Sequence, residues 1–128
     1  MKKIRIKEGT RSGGHYSPAV ITEAKKLMFI SGMPAVDPHT GHLVSGDLET
    51  QARQCLKNIQ YLLDAAGAEV KDIVKITIYL IDGEKWVLIN KLFHEFFGTH
   101  RPARTIIPVT AMHNKYEIQI EAVVEIND

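Results

Sequence analysis

The clearest periodicity in the chain lies between residues 48 and 66. There Leu48, Ala52, Cys55, Leu56, Ile59, Leu62, Leu63 and Ala66 recur at the spacing of one helical stripe. Asp47 is placed to cap the first turn, and Gly67 to close the last in a left-handed conformation. A second stripe of Trp86, Ile89, Phe93, Phe96 and Phe97 follows Asp82-Gly83 and stops at Gly98, which predicts a second helix. Between the two, residues 72–81 are rich in β-branched types and apolar on both faces, predicting a central strand covered on both sides. Near the C-terminus the period changes to two. Tyr116, Ile118, Ile120, Ala122, Val124 and Ile126 point one way, and Glu117, Gln119, Glu121, Val123 and Glu125 the other, as in a strand with one buried and one solvated face. A further strand is expected over about 103–109, set off by the polar turn Met112-His113-Asn114-Lys115.

The N-terminal third gives shorter signals. Lys3-Ile4-Arg5-Ile6 alternates as an edge strand, and residues 8–15 read as a glycine-rich loop. Residues 19–23 and 27–30 read as a hairpin joined near Lys25-Lys26, and Asp37-Pro38-His39-Thr40-Gly41 as a tight turn. The resulting order, β-β-β-α-β-α-β-β, predicts one α+β domain over residues 1–128. Its mixed sheet of about six strands carries two helices on one face. The other face, expected to show Ile73, Tyr79 and Ile81, then needs cover, most simply from further subunits.

Composition narrows the functional classes. With 45% hydrophobic and 24% charged residues the chain has the profile of a folded globular domain. Sixteen basic against 15 acidic side chains leave a net charge of +1, so no basic excess pulls it toward nucleic acid. The single Cys55 cannot form an internal disulfide, and its place on the helix stripe marks a buried small hydrophobe. No secretory core and no membrane-length apolar run is present, so the expected location is the cytosol.

Among candidate chemical groups, Arg104 is the odd one. It follows Arg101-Pro102-Ala103 and shares a strand face with Ile106 and Pro108, an unusual place for a merely solvated guanidinium. Its planar fork suits a carboxylate, with a structural ion pair to a glutamate as the alternative. His39 and His42 lie in a Pro/Gly turn without a third ligand, and His15, His94, His100 and His113 are scattered, so surface histidines are expected and no metal site. Ser31 lacks a nucleophile-elbow context, and Ser12-Gly13-Gly14 matches no phosphate-binding glycine pattern.

Several motifs together resemble the RidA/YjgF family. They are Gly14-His15-Tyr16-Ser17-Pro18-Ala19, Phe29-Ile30-Ser31-Gly32, Asp37-Pro38-x-Thr40-Gly41 and Gln51-Ala52-Arg53-Gln54-x-Leu56-x-Asn58. Ala65-Ala66-Gly67, Asp72-Ile73-Val74-Lys75, Asn90 with Phe96-Phe97, Pro102-Ala103-Arg104 and Ile118-Gln119-Ile120-Glu121-Ala122 continue the match in order over nearly the whole chain. The resemblance implies a chorismate-mutase-like fold assembled as a homotrimer, with an inner barrel of sheets and a cleft at each subunit boundary. It also implies cofactor-free hydrolysis of reactive enamines and imines of the 2-aminoacrylate type to a 2-keto acid and ammonia.

Carried over by position, Arg104 clamps the substrate carboxylate and Tyr16 lines the cleft. Ser31 and Gly32 border it, Asn90 joins the substrate-binding residues, and Ile106 stands where many members have cysteine. Gln119 takes the place of a glutamate thought to activate the attacking water, and an amide cannot accept that proton. Two readings follow. One is a deaminase in which Gln119 only orients water; the other is a non-catalytic protein that binds a small carboxylate. Ribonuclease action, a label attached to relatives, finds little support, since no basic patch is interleaved with aromatics.

Overall fold

A computed structural model of the chain describes residues 1–6 and 14–127. The stripe at residues 48–66 folds as helix α1, Leu48–Ala66. Asp47 accepts a hydrogen bond from the Thr50 amide at 2.9 Å, and Gly67 closes the helix at φ +69°. Two polar residues on its buried side act as ties. Asn58 donates to the carbonyls of Pro34 and Val36, and Gln51 accepts from the Glu117 amide. Helix α2, Trp86–Phe97, starts after a short 3-10 turn in which Asp82 accepts from the Glu84 amide.

Strands β3 (Lys26–Pro34), β4 (Ile73–Leu80), β5 (Ala103–Pro108) and β6 (Ile118–Ile126) form one mixed sheet in the order β3-β6-β4-β5. The β4–β5 pair is parallel and is joined through α2; the other pairs are antiparallel. The six expected strands are present, but β1 (Lys2–Ile4) and β2 (Ala19–Ile21) form a separate two-stranded ribbon. Ile76, Ile78 and Leu80 of β4 and Ile118, Ile120 and Val124 of β6 meet Ile59, Leu63, Ile89 and Phe93 of the helices in a fully buried core. Both helices thus cover one sheet face, as expected.

Several local expectations are corrected. Residues 19–21 pair with β1 rather than with β3, so the expected hairpin does not form. The expected loop at residues 8–15 lies, except for its last two residues, outside the described ones. Strand β4 is interior but not apolar on both faces: Lys75, Thr77 and Tyr79 occupy the open face, while Ile73 is fully buried and Ile81 lies beyond the strand. An extra residue in β4 between Ile73 and Lys75 turns its neighbours, and Glu125, expected in solvent, is buried and accepts from Thr22 Oγ1. Trp86 falls on the α2 stripe by angle but at its first residue, one turn beyond the buried contacts; it is exposed, and Leu92 is buried instead.

Candidate functional site

The register of the sheet decides which site residues meet. Arg104 pairs with Ile76, and Ile106 with Ile78, so both point to the helix side of β5, the edge strand. Residues 14–18 dock beside this strand. The Ser17 amide donates to the Pro102 carbonyl at 2.9 Å, its hydroxyl donates to the Arg101 carbonyl, and Ser17 bridges to Ala103. That docking lays the Tyr16 ring against Arg104. The guanidinium carbon lies 5.1 Å from the Tyr16 centroid and 5.4 Å from that of Phe93 on α2, within cation–π range of both.

Asn90, on α2, completes the clasp. Its Oδ1 accepts from Arg104 Nη1 at 2.6 Å and from the His15 amide at 3.2 Å, so one side chain fixes both the guanidinium and the incoming segment. Gly14 is required by close approach: a Cβ there would lie 2.7 Å from the Tyr16 ring and 3.0 Å from Arg104 Nη2. Burial pulls the Arg104 guanidinium below its ordinary value, yet at such a high starting point it remains a cation. Among the described residues the glutamate ion pair that the sequence left open does not form, and no carboxylate pairs with Arg104. A half-buried cation whose side-chain hydrogen-bond partner among the described residues is a neutral amide is a preformed seat for an anion.

His39, His42, His94 and His113 lie exposed as expected, and two histidines do not. His15 and His100 are buried. The His15 ring Nε2 lies 2.9 Å from the His100 carbonyl, and the His100 ring Nε2 lies 2.7 Å from the Ile73 carbonyl. Burial pushes both imidazoles below the usual histidine range. They form a strut behind the Arg104 clasp. Among the described residues no group of three histidine, cysteine, aspartate or glutamate side chains is placed to hold a metal ion, and Cys55 is buried with its thiol pushed up to about 12.

The remaining predicted residues lie on the opposite sheet face. Gln119 pairs with Tyr79, on the side away from the helices. Gly32 and Ser31 occupy a bulge where β3 gains one residue on β6 between Ile30 and Met33. A Cβ on Gly32 would lie 2.8 Å from Gln119 Oε1, so this glycine gives the amide room. Next to it a cavity of about 360 Å³ is lined by Phe29, Ser31, Lys75, Thr77 and Glu121, and Tyr79 donates to Glu121 Oε1 at 2.6 Å.

One chain therefore brings together Arg104, Tyr16, Asn90 and Ile106, and separately Gln119, Ser31 and Gly32. The two strands and three residues between Arg104 and Gln119 correspond to a backbone separation of roughly 14 Å, with the side chains on opposite faces. Phe93, Gly14, the His15–His100 strut and the Tyr79–Glu121 pair went unforeseen. Phe93 reads as core stripe in the sequence; the docking of residues 14–18 reveals Gly14 and the strut, and the β4–β6 pairing reveals the Tyr79–Glu121 contact.

Known proteins are similar to this chain in sequence and fold. The Endoribonuclease L-PSP family model matches residues 8–126. A RutC family protein of Pyrococcus horikoshii is 39% identical over 96% of this chain and 97% of its own. The human 2-iminobutanoate/2-iminopropanoate deaminase is 37% identical over 86% of this chain and 79% of its own. Among solved structures, a Rid family protein of unknown function from Yersinia pestis superposes with a TM-score of 0.90 at 27% identity, covering 98% of both chains. The YjgF gene product of E. coli gives a TM-score of 0.73 at 31% identity over 99% of this chain and 100% of its own. With its sequence matched almost end to end and its fold shared with these structures, the chain belongs to the RidA/YjgF family.

Proposed function

We propose that this protein hydrolyses reactive 2-imino acids and their enamine tautomers to 2-keto acids and ammonia, in clefts between copies of the chain assembled as a homotrimer. The observation that carries this reading is the Arg104 clasp: a half-buried guanidinium held by Tyr16, Phe93 and Asn90, with no carboxylate paired to it among the described residues. Its fork receives the substrate carboxylate and so orients the adjacent C=N bond. Relatives at 33% to 37% identity bear the name 2-iminobutanoate/2-iminopropanoate deaminase, which supports this substrate class.

The same geometry supports the assembly proposed. Gln119, Ser31 and Gly32 face away from Arg104 of their own chain, so a ligand touching both groups needs a second copy. Phe29, 74% exposed on the open sheet face beside Val123, is an apolar side chain such a copy would cover. With the sheets turned inward the open faces form the inner barrel.

Gln119 favours a second reading, a non-catalytic binder of small carboxylates, because its amide takes no proton. The two are separated by supplying 2-iminobutanoate from a threonine dehydratase and following 2-keto acid formation. The deaminase reading expects acceleration above the spontaneous rate by the natural chain. A natural chain that binds 2-oxobutanoate but leaves the rate unchanged, beside an accelerating Gln119→Glu variant, establishes the binder.

A further inference from the structure

Gln119 leaves the deaminase site without a proton acceptor at that position, and the open sheet face supplies one close by. Glu121 follows Gln119 by two residues on the same face, about 7 Å along the strand. Tyr79 connects them. Its Cα stands opposite Gln119 in the β4–β6 register, a pairing that brings Cβ atoms to roughly 5 Å, while its hydroxyl donates to Glu121 Oε1 at 2.6 Å. That hydrogen bond to a carboxylate pushes the Tyr79 phenol above its ordinary range, so it stays a donor. Glu121 is partly buried and shares a cavity with Ser31, one of the residues bordering the proposed cleft.

We propose that Glu121, oriented by Tyr79, is the proton acceptor of this chain's imine hydrolysis. The inference rests on the deaminase reading above. With the substrate carboxylate on Arg104 of a neighbouring copy, water lies between the Gln119 amide and the second oxygen of Glu121, the one Tyr79 does not use. The water oxygen bonds to C2 and the C=N π pair moves to nitrogen. Glu121 takes the proton lost by the water, and nitrogen carries one taken from solvent, before attack as the iminium or after it. In the second step the hydroxyl of the carbinolamine gives its proton to solvent and becomes the carbonyl, the C–N bond breaks, and Glu121 returns its proton to the departing nitrogen, which leaves as ammonia. One imino acid and one water yield one 2-keto acid and one ammonia, with no oxidant or reductant. Glu121 touches the reacting water and is a catalytic residue; Tyr79 is a positioning residue.

The test uses the full chain in the dehydratase-coupled assay. Glu121→Gln is expected to lower the acceleration by about a hundredfold or more, the range for a lost general base, while 2-oxobutanoate binding stays within about twofold. Tyr79→Phe, which leaves the carboxylate but not its orientation, is expected to lower kcat by about tenfold with KM unchanged. It also decides the question if Glu121→Gln fails to fold. The double variant Gln119→Glu with Glu121→Gln is expected to recover the rate, a rescue that a structural role for Glu121 does not give. Full activity in Glu121→Gln, or a folded, inactive Glu121→Gln that the second substitution cannot rescue, overturns the proposal while the deaminase reading stands. No acceleration by the natural chain overturns both.

Discussion

Replacing Arg104 by methionine separates what the guanidinium does for the fold from what it does for a ligand. In the free protein the change removes two cation–π contacts, at about 0.5–2 kcal/mol each, and one charge-assisted hydrogen bond to Asn90, about 1.5–3 kcal/mol. Against this it relieves the desolvation of a half-buried cation, several kcal/mol for an ion with no opposite charge beside it among the described residues. Methionine fills much of the volume between the two rings. The opposing terms are of equal size, so stability is expected to change by no more than about 1 kcal/mol and the melting temperature by no more than about 5 °C.

Binding has no such compensation. A carboxylate on the guanidinium fork gains two charge-assisted bonds, and even at the low end their loss is about 3 kcal/mol, or roughly 150-fold in Kd. Thermal melting in 2-oxobutanoate at a fixed protomer concentration reads both effects. At one hundred times the natural Kd, ligand stabilises the natural protein by about 2.7 kcal/mol, a shift of roughly 10 °C. The same ligand concentration stabilises Arg104→Met by only about 0.3 kcal/mol, a shift of roughly 1 °C. An unchanged ligand shift in the variant refutes the carboxylate role. A loss of more than about 3 kcal/mol in the unliganded variant refutes the balance drawn here and makes Arg104 a structural residue.

Three further outcomes are expected. Because burial holds the His15 and His100 imidazoles below their ordinary value of 6.5, the unfolded chain binds more protons than the folded one just below that pH; stability is full above it and falls as pH drops toward the folded values, and urea melts across pH 5–8 should show a smaller slope in His100→Gln. The Cys55 thiol, pushed up to about 12, is only about one part in ten thousand thiolate at pH 8, so iodoacetamide should label it in urea but not in the native protein. Sedimentation at micromolar concentration should show a trimer, and a stable monomer contradicts the shared cleft.

The periodic elements were legible because their signals are local. The α1 stripe, its Asp47 cap and its Gly67 stop are all contained within about twenty residues, and the structure shows the helix and both ends where the spacing places them, with Leu62 and Ala66 of the stripe left exposed. The failures are nonlocal. Nothing near residues 19–21 records that their partner is β1, since a short apolar run pairs equally well with either neighbour. Glu125 alternates correctly with the outward residues, and it is buried because Thr22 and the Met1 amino group, more than a hundred residues away in sequence, cover it there. His15 and His100 are 85 residues apart, and each ring is matched by a carbonyl that no side-chain pattern encodes.

The site was legible as a set of residues but not as a geometry. Period two assigns Gln119 to the outward face of β6, and Arg104 shares its face with Ile106; neither fact says that these faces are opposite. The register supplies that link: Ile78 joins Ile106 to Ile120, so Ile106 and Arg104 belong with the buried face, and Gln119 between Ile118 and Ile120 belongs with the other. From this alone it follows that no small ligand can touch Arg104 and Gln119 of the same chain through a four-stranded sheet. Either the protein uses only the Arg104 clasp, or it completes the site with a second copy. Gly32 argues for the second case: a glycine in a strand weakens it, and here its evident effect is to make room for the Gln119 side chain, which without a ligand on that face has no need of a fixed place.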